Sequence, residues 1–350
     1  MNKLPRSMRA AILVEQKKPL VIDEVYLPDK LDVGQVLVKV VYSGICGSQI
    51  GEIDGVKGED RFLPHLLGHE GSGVVIATGP GVTRIKKNEK VVMHWRKGEG
   101  IESPVPKYKW KDKTLNAGWI TTFNEYAIIS ENRLTVVDEN FDMQTAALFG
   151  CAITTGLGVI ENNAKIRIGE SIVVYGAGGV GLNIIQGAKL RGASPIIAID
   201  LYDNRLKIAT DMGATHVINA NNANPKELIP EILGSKKLDI FIDNTGLPEV
   251  IEYGYNSVGP KGKVILVGVP KKNANSTFYT LPLHFGKIIT GSHGGEASPN
   301  DDIYRYGSIY KTGQVDFKKV ISKMYSIDQI NDAISDMRHG KLAGRCLIKY

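Results

Sequence analysis

Cysteine is scarce in this chain: the 350 residues contain three, at positions 46, 151 and 346. Cysteines so few and so widely spaced cannot form a disulfide framework, which excludes the small disulfide-stabilised class of secreted domains. The first residues, MNKLPRSMRAAILVEQ, lack the continuous apolar core of a signal peptide. We therefore expect a cytoplasmic protein whose thiols remain reduced.

The sequence also lacks long apolar runs and concentrated positive charge. No stretch approaches the roughly 18 consecutive apolar residues of a membrane-spanning helix. The formal net charge of +6 is spread along the chain, and short basic clusters such as RIKKNEK (84–90) are interrupted by acidic residues. Because nucleic-acid binding needs a concentrated basic patch, we expect neither nucleic acid nor membrane as a partner.

The order of apolar runs predicts two differently built regions. Up to about residue 150, β-branched runs such as QVLVKVVYSG and GSGVVIATG alternate with glycine turns, which indicates a compact, mostly antiparallel β-region. After residue 153, buried apolar strands alternate with amphipathic stretches, as in a doubly wound parallel sheet covered by helices. The closing segment RCLIKY has no obvious place in that sheet and is predicted to return to the first region.

A glycine-rich turn, VVYGAGGVG (173–181), supplies the most specific motif. Gly176, Gly178 and Gly181 form a G-x-G-x-x-G pattern that follows a strand and opens a helix, the context of a dinucleotide-binding turn. Asp200 lies 19 residues beyond Gly181, where a carboxylate accepts hydrogen bonds from ribose hydroxyls and repels a 2′-phosphate. The pattern favours NAD over NADP; the alternative is a glycine turn that binds nothing.

Cys46, His69 and Cys151 offer thiolate and imidazole ligands from three distant parts of the chain. Such donors suit Zn²⁺, and three protein ligands leave the fourth tetrahedral position open for water or substrate. Glu70 directly follows the histidine. The alternative is that Cys46 is a buried structural cysteine.

The motifs GICGS, GHEGSGVV, FNEYA, GCAITTG, GAGGVG and GRCLI resemble the zinc-dependent medium-chain dehydrogenase/reductase superfamily, the alcohol and polyol dehydrogenases, over nearly the whole chain. The resemblance implies an α/β protein in two parts. A GroES-like β-rich catalytic domain would comprise residues 1–152 and 293–350, and a Rossmann NAD-binding domain residues 153–292. It also implies a homodimer or homotetramer, with 268–292 as the candidate interface.

The resemblance also assigns residues to roles. It makes Cys46, His69 and Cys151 the ligands of a catalytic zinc, Glu70 an outer or transient ligand, and Ser48 the hydroxyl that passes the substrate proton onward. The residues that it places at the cofactor are Thr155, Gly176, Gly178, Gly179, Val180, Gly181, Asp200, Arg205, Val269 and Arg345.

Three departures from the family pattern carry expectations of their own. Residues 94–118 contain no cysteine where many relatives bind a structural zinc, so we expect one zinc per subunit. Gln49 stands where relatives commonly have an aspartate that orients the zinc-bound histidine. Gly51 stands where some alcohol dehydrogenases have a histidine that completes the proton relay.

We therefore expect a zinc-dependent NAD(H) alcohol dehydrogenase that transfers hydride between nicotinamide and an alcohol or carbonyl carbon. Polar loops at 51–62, 94–119 and 292–300 favour a sugar, polyol or cyclitol-like substrate. Two alternatives remain open: a zinc-free enone or quinone reductase, and a non-catalytic dinucleotide-binding protein. The other histidines, His65 and His94 among them, are predicted to be packing or surface residues.

Overall fold

Short strands dominate the chain before Cys151, as the β-branched runs predict. The computed structural model describes residues 4–350; residues 1–3, part of the predicted segment 1–152, lie outside the described range. The strands are β1 (Ser7–Leu13), β2 (Val21–Tyr26), β3 (Gln35–Gly44), β4 (His65–Leu66), β5 (Glu70–Thr78), β6 (Lys90–His94), β7 (Tyr108–Trp110), β8 (Lys113–Leu115), β9 (Tyr126–Ser130) and β10 (Leu134–Val136). Two short helices, α1 (Gly47–Ile53) and α2 (Met143–Leu148), complete this region.

These strands form two antiparallel arrangements. One sheet has the order β4-β1-β2-β7-β8, and the other contains the run β10-β6-β5-β3, with β9 also paired to β3. The long strand β3 lies at the centre of the second sheet and ends at Gly44, two residues before Cys46. The predicted metal ligand therefore leaves the most extensively paired strand of this region.

Residues after Cys151 form a parallel sheet covered by helices, as predicted. The strands are β11 (Ile172–Tyr175), β12 (Ile196–Asp200), β13 (His216–Asn219), β14 (Leu238–Asp243), β15 (Val258–Leu266) and β16 (Ile288–Gly291). The helices are α3 (Ala152–Gly158), α4 (Gly179–Leu190), α5 (Asp203–Met212), α6 (Pro225–Leu233) and α7 (Pro248–Ser257). The sheet order β13-β12-β11-β14-β15-β16 reverses direction at β11, and such a reversal opens a ligand crevice at the carboxyl ends of the strands.

The last part of the chain returns to the first region, as the RCLIKY segment predicts. It contains α8 (Pro299–Lys311), β17 (Ile321–Ser326), α9 (Ile330–Arg338) and β18 (Arg345–Lys349). Strand β18 pairs antiparallel with β3, with Leu347 opposite Gly44, and parallel with β17. This pairing carries Arg345 to the same end of β3 as Cys46.

None of the helices within residues 4–350 has the length and apolar content needed to span a bilayer.

A buried carboxylate connects the cysteine-free loop that follows β6 with the segment that precedes β6. Glu131, 1% exposed, accepts hydrogen bonds through Oε1 from the backbone N–H groups of Thr83 and Arg84, both at 2.7 Å. Its Oε2 accepts from the N–H of Ile101 at 3.0 Å. Burial opposes ionisation of this side chain, but the three N–H groups outweigh burial and lower its pKa. One carboxylate thus joins the loop after β6, through Ile101, to the segment before β6, through Thr83 and Arg84.

Candidate functional site

The three predicted metal ligands meet at one point. Cys46 directly precedes α1, His69 lies between β4 and β5, and Cys151 directly precedes α3. Their ligand atoms all lie within 4.8 Å of one another. Nε2 of His69 is buried and has no hydrogen-bond partner among the described residues. Two sulfurs and an unpartnered imidazole nitrogen at these separations fit a Zn²⁺ ion with a fourth position left open.

The two thiols are coupled, and the coupling moves their pKa values apart. A hydrogen bond with Cys151 lowers the pKa of Cys46 well below its usual range, and the charges of Arg345 and His69 act in the same direction. The same hydrogen bond, with burial, raises the pKa of Cys151. A cation bound between the two sulfurs would displace the proton between them, because thiolates are the metal-ligating form.

Glu70 is fully buried beside this cluster. Its Oε2 accepts a hydrogen bond from the N–H of Ala152 at 3.1 Å, and its Oε1 lies 2.7 Å from Nε of Arg345. Burial raises the pKa of Glu70, and the Arg345 charge opposes that rise. A Cβ at Gly44 would lie 2.4 Å from Oε1 of Glu70. The first glycine of GICGS therefore leaves the space that the carboxylate occupies.

Gln49 takes the position of the family's orienting aspartate and still contacts the histidine. Its side chain is buried, and its Nε2 is paired with Nδ1 of His69. Its Oε1 is buried and has no partner among the described residues. Turning the amide over by 180° places this oxygen on Nδ1, where it accepts the proton that a histidine bound to metal through Nε2 must carry there.

A cavity of about 520 Å³ lies along the carboxyl ends of the parallel strands. Nine of the ten predicted cofactor residues line it, together with Cys46 and Ser48: Gly176, Gly178, Gly179, Val180, Gly181, Asp200, Arg205, Val269 and Arg345. The tenth, Thr155, lies buried with its Oγ1 4.0 Å from Sγ of Cys151. The predicted cofactor residues therefore converge on a single crevice that ends at the candidate metal site.

The three glycines of the G-x-G-x-x-G turn lie in three different local environments. Gly176 has φ +98°, which L side chains rarely adopt, and a Cβ at Gly181 would lie 2.0 Å from the carbonyl oxygen of Gly176. A Cβ at Gly178 would meet no atom within 4 Å, so this position faces open space at the start of α4. The turn is compact on one side and open on the side where phosphates bind a helix N-terminus.

Asp200 ends β12 and accepts several hydrogen bonds. The N–H of Ala177 donates to its Oδ2, and the N–H of Leu201 donates to its Oδ1, both at 2.8 Å. Nη1 of Arg205 lies 3.4 Å from the same Oδ1, and the guanidinium lies 4.8 Å from the centre of the Tyr202 ring. The predicted acid and its basic partner are therefore held together at the edge of the crevice.

A second cavity, of about 460 Å³, lies on the other side of the metal-ligand cluster. Its polar lining residues are Gln49, Glu52, His65, His69 and Arg133, and its aromatic ones are Phe62, Trp95 and Trp119. Helix α1 separates the two cavities, because Ser48 and Gly51 line the first whereas Gln49 and Glu52 line the second. The candidate metal site thus has one ligand, Cys46, at the first cavity and another, His69, at the second.

Sequence reasoning identified part of this second cavity. Trp95 and Trp119 come from the predicted polar loops and line it. Other charged residues of those loops bind elsewhere: Asp54 pairs with Arg338, and Arg96 contacts His293. Glu52 lies within the predicted segment 51–62, the start of which is helix α1 and not loop, whereas His65 and Arg133 lie outside the predicted loops. Neither His65 nor Arg133 had a local signal in the sequence.

Comparison with known proteins identifies relatives along nearly the whole chain. A family model described as "Alcohol dehydrogenase GroES-like domain" matches residues 32–139, and one described as "Zinc-binding dehydrogenase" matches residues 179–308. The NDMA-dependent alcohol dehydrogenase of Amycolatopsis methanolica is 30% identical, and the match covers 95% of this chain and 96% of the relative. The S-(hydroxymethyl)glutathione dehydrogenase of Paracoccus denitrificans is 29% identical, with 98% and 99% covered.

A solved structure gives the same relationship in three dimensions. The crystal structure of benzyl alcohol dehydrogenase from Acinetobacter calcoaceticus has a TM-score of 0.88 and 30% sequence identity, and 99% of each chain is covered. The predicted fold class, a GroES-like region with a parallel-sheet nucleotide-binding region, is confirmed.

Proposed function

Because the chain belongs to the zinc-dependent medium-chain dehydrogenase/reductase superfamily, we propose that it is an NAD(H)-linked alcohol dehydrogenase with one zinc held by Cys46, His69 and Cys151. The observation that carries the proposal is the position of this cluster between two cavities. A hydride donor in one cavity and an acceptor in the other would then meet beside the metal ligands.

When bound, zinc supplies a Lewis acid that lowers the pKa of an alcohol and polarises a carbonyl. The chain's own residues hold and orient the reactants. Oγ of Ser48 is buried without a hydrogen-bond partner among the described residues, which leaves it free to accept the proton of a substrate hydroxyl. Gly51 has no side chain, so position 51 contributes no proton carrier, and a Cβ there would lie 2.7 Å from Cγ2 of Val56.

The cofactor preference that we propose is NAD(H) over NADP(H). The glycine turn would hold the pyrophosphate at the N-terminus of α4, with Arg345 beside it, and Asp200 with Arg205 would bind the adenosine ribose. Support comes from the lining of the first cavity and from the Asp200 carboxylate, whose negative charge disfavours a 2′-phosphate. Val269 and Thr155 would flank the nicotinamide end.

The substrate class that we propose is a polar alcohol such as a sugar, polyol or cyclitol. The second cavity supports it because charged and amide side chains lie there beside aromatic rings, which pack against the C–H faces of such compounds.

For the domain organisation, we propose a catalytic domain of residues 1–152 and 293–350 and a cofactor-binding domain of residues 153–292. We also propose a homodimer or homotetramer formed through the 268–292 segment, where Tyr279 and Phe285 are each 69% exposed.

The test is NADH formation from NAD and a panel of alcohols by protein with a measured zinc content. We expect turnover that chelation abolishes and zinc restores. Reduction of an enone by zinc-free protein would instead support the reductase alternative. Tight binding of NADH without turnover of any alcohol or enone by zinc-loaded protein would support the binding-protein alternative.

A further inference from the structure

Glu52 lines the second cavity with a carboxylate that no other group satisfies. It lies on α1, one helical turn after Gln49, and its side chain is 42% exposed. Among the described residues, no donor forms a hydrogen bond with the carboxylate, and its nearest charged neighbour is Nε2 of His65 at 4.0 Å. A ligand in this cavity therefore meets a free pair of acceptor oxygens.

The neighbouring His65 and Asp60 satisfy each other. Nδ1 of His65 is 2.9 Å from the carbonyl oxygen of Leu66, and Nε2 is 2.7 Å from Oδ2 of Asp60. Both ring nitrogens of His65 therefore have hydrogen-bond partners. The other Asp60 oxygen, Oδ1, accepts from the N–H of Phe62 at 2.8 Å. The pair is therefore satisfied by groups of the chain and needs no ligand.

Glu52, Asp60 and His65 also form a group that could in principle hold a metal ion. The distance between Nε2 and Oδ2 argues for a proton instead. Two ligand atoms at about 2.0–2.2 Å from one ion lie roughly 3 Å or more apart, whereas 2.7 Å is an ordinary charge-assisted hydrogen bond. Because His65 and Asp60 are hydrogen-bonded to each other, Glu52 is left as the carboxylate of this group that has no hydrogen-bond partner among the described residues.

We propose that Glu52 selects the substrate by accepting a hydrogen bond from a second hydroxyl group, one that does not react. The inference rests on the proposed function, since it takes the second cavity as the substrate site. His69 and Gln49 mark the end of the cavity at the metal cluster, and Glu52 lies one helical turn further along α1. With an alcohol that has a single hydroxyl, the Glu52 carboxylate would accept hydrogen bonds only from water.

The charges around Glu52 favour a neutral hydroxyl over a cationic amine. Nε2 of His65 lies 4.0 Å from a Glu52 oxygen, and Arg133, 6% exposed, lines the same cavity. An ammonium group at Glu52 would share the cavity with the Arg133 guanidinium, whereas a neutral hydroxyl donor would not be repelled by it. Because the carboxylate is partly exposed, water also screens the attraction that an ammonium would gain.

The experiment compares a diol with the alcohol that lacks only its second hydroxyl, propane-1,2-diol with propan-1-ol, and adds 2-aminopropan-1-ol as the cationic analogue. In the wild type we expect the diol to have the highest kcat/KM. Glu52→Gln should lower kcat/KM for the diol roughly tenfold, mainly through KM, and leave the monoalcohol within about twofold. The control is Glu59→Gln, because Glu59 is exposed and lines neither cavity.

Equal losses on diol and monoalcohol in Glu52→Gln would overturn the proposal, as would a wild-type preference for the amino alcohol or for the monoalcohol. Equilibrium binding provides a readout that does not depend on turnover. Trp95 and Trp119 line the cavity, so glycerol binding is followed by tryptophan fluorescence, and Glu52→Gln should raise its Kd roughly tenfold. If no alcohol is oxidised but this shift is observed, the proposed function fails and the role of Glu52 stands.

Discussion

Oε1 of Glu70 lies 2.7 Å from Nε of Arg345, and this buried ion pair joins the metal-ligand cluster to the cofactor cavity. Glu70 is 0% exposed and Arg345 is 3% exposed. Nη2 of Arg345 is 4.0 Å from Sγ of Cys151, and its Cδ and Nε lie 3.2 Å from where a Cβ of Gly179 would be. One arginine side chain therefore spans from the sulfur of Cys151, a proposed zinc ligand, to the glycine turn.

Removing the arginine should affect stability and cofactor binding separately. Arg345→Met leaves Glu70 buried without a counter-charge, and we expect a loss of about 3–5 kcal/mol in the free energy of unfolding. Adding Glu70→Gln removes the stranded charge and should recover most of that loss. NAD affinity, measured by calorimetry, should stay weak in both proteins. Recovery of NAD affinity together with stability would contradict a direct cofactor role for Arg345.

Metal content distinguishes the three cysteines. We expect about one zinc per subunit in the wild type and almost none in Cys46→Ser or Cys151→Ser, because each variant loses one of three protein ligands. Cys346→Ser should retain zinc, since that thiol is buried against Sδ of Met337 at 3.4 Å. Elemental analysis of the purified proteins measures this. Two zinc ions in the wild type would mean that a site outside the cysteines has been missed.

Cofactor discrimination should depend on the charge of Asp200. Asp200→Asn keeps an oxygen for the N–H of Leu201 but no longer repels a 2′-phosphate. We expect the ratio of kcat/KM for NAD to that for NADP to fall roughly tenfold. Asp203→Asn is the matched control, because Asp203 lies exposed at the start of α5. An unchanged ratio in Asp200→Asn would remove the basis for the NAD preference.

His94 should make the protein sensitive to mild acid. Its side chain is buried, and burial lowers its pKa from the ordinary 6.5 to about 4. Between these values the unfolded chain binds more protons than the folded one, so stability falls as the pH drops through 6.5 toward 4. At pH 5 the contribution is about 2 kcal/mol.

Urea unfolding at pH 7.5 and pH 5 measures this effect. We expect His94→Gln to lose about 2 kcal/mol less between the two pH values than the wild type does. The exposed His216→Gln should behave like the wild type. A wild-type pH dependence in His94→Gln would show that other groups cause the acid sensitivity.

Assembly should depend on the exposed apolar side chains beside β16. Phe285 is 69% exposed, Ile288 is 44% exposed, and β16 is the edge strand of the parallel sheet. We expect sedimentation to give a multiple of the chain mass for the wild type and a smaller assembly for Phe285→Asp. A wild type that sediments as a single chain would contradict the proposed interface.

The structural features that could be predicted from the sequence are those determined by residues close together in the chain. Gly176, Gly181 and Asp200 are read from a strand, a turn and the next strand, and each takes the position that such a unit requires. The antiparallel β-region and the parallel sheet follow from runs of apolar residues in the same way.

The lining of the second cavity could not be predicted from local sequence patterns. His65 and Arg133 come from segments 68 residues apart, and only the packing of β4 and the loop after β9 brings them to one cavity. Glu131 looks like an ordinary surface acid until its partners, the N–H groups of two separate loops, are seen. Sequence periodicity contains no information about contacts between segments that are far apart in the chain.

The partition made by α1 has an evolutionary consequence. Because residues 48 and 51 face one cavity and residues 49 and 52 face the other, adjacent codons control different halves of the proposed reaction. Substitutions at Glu52 can diversify which alcohols are accepted while the crevice on the opposite side is left intact. A single short helix thus allows substrate specificity to change during evolution without loss of cofactor binding.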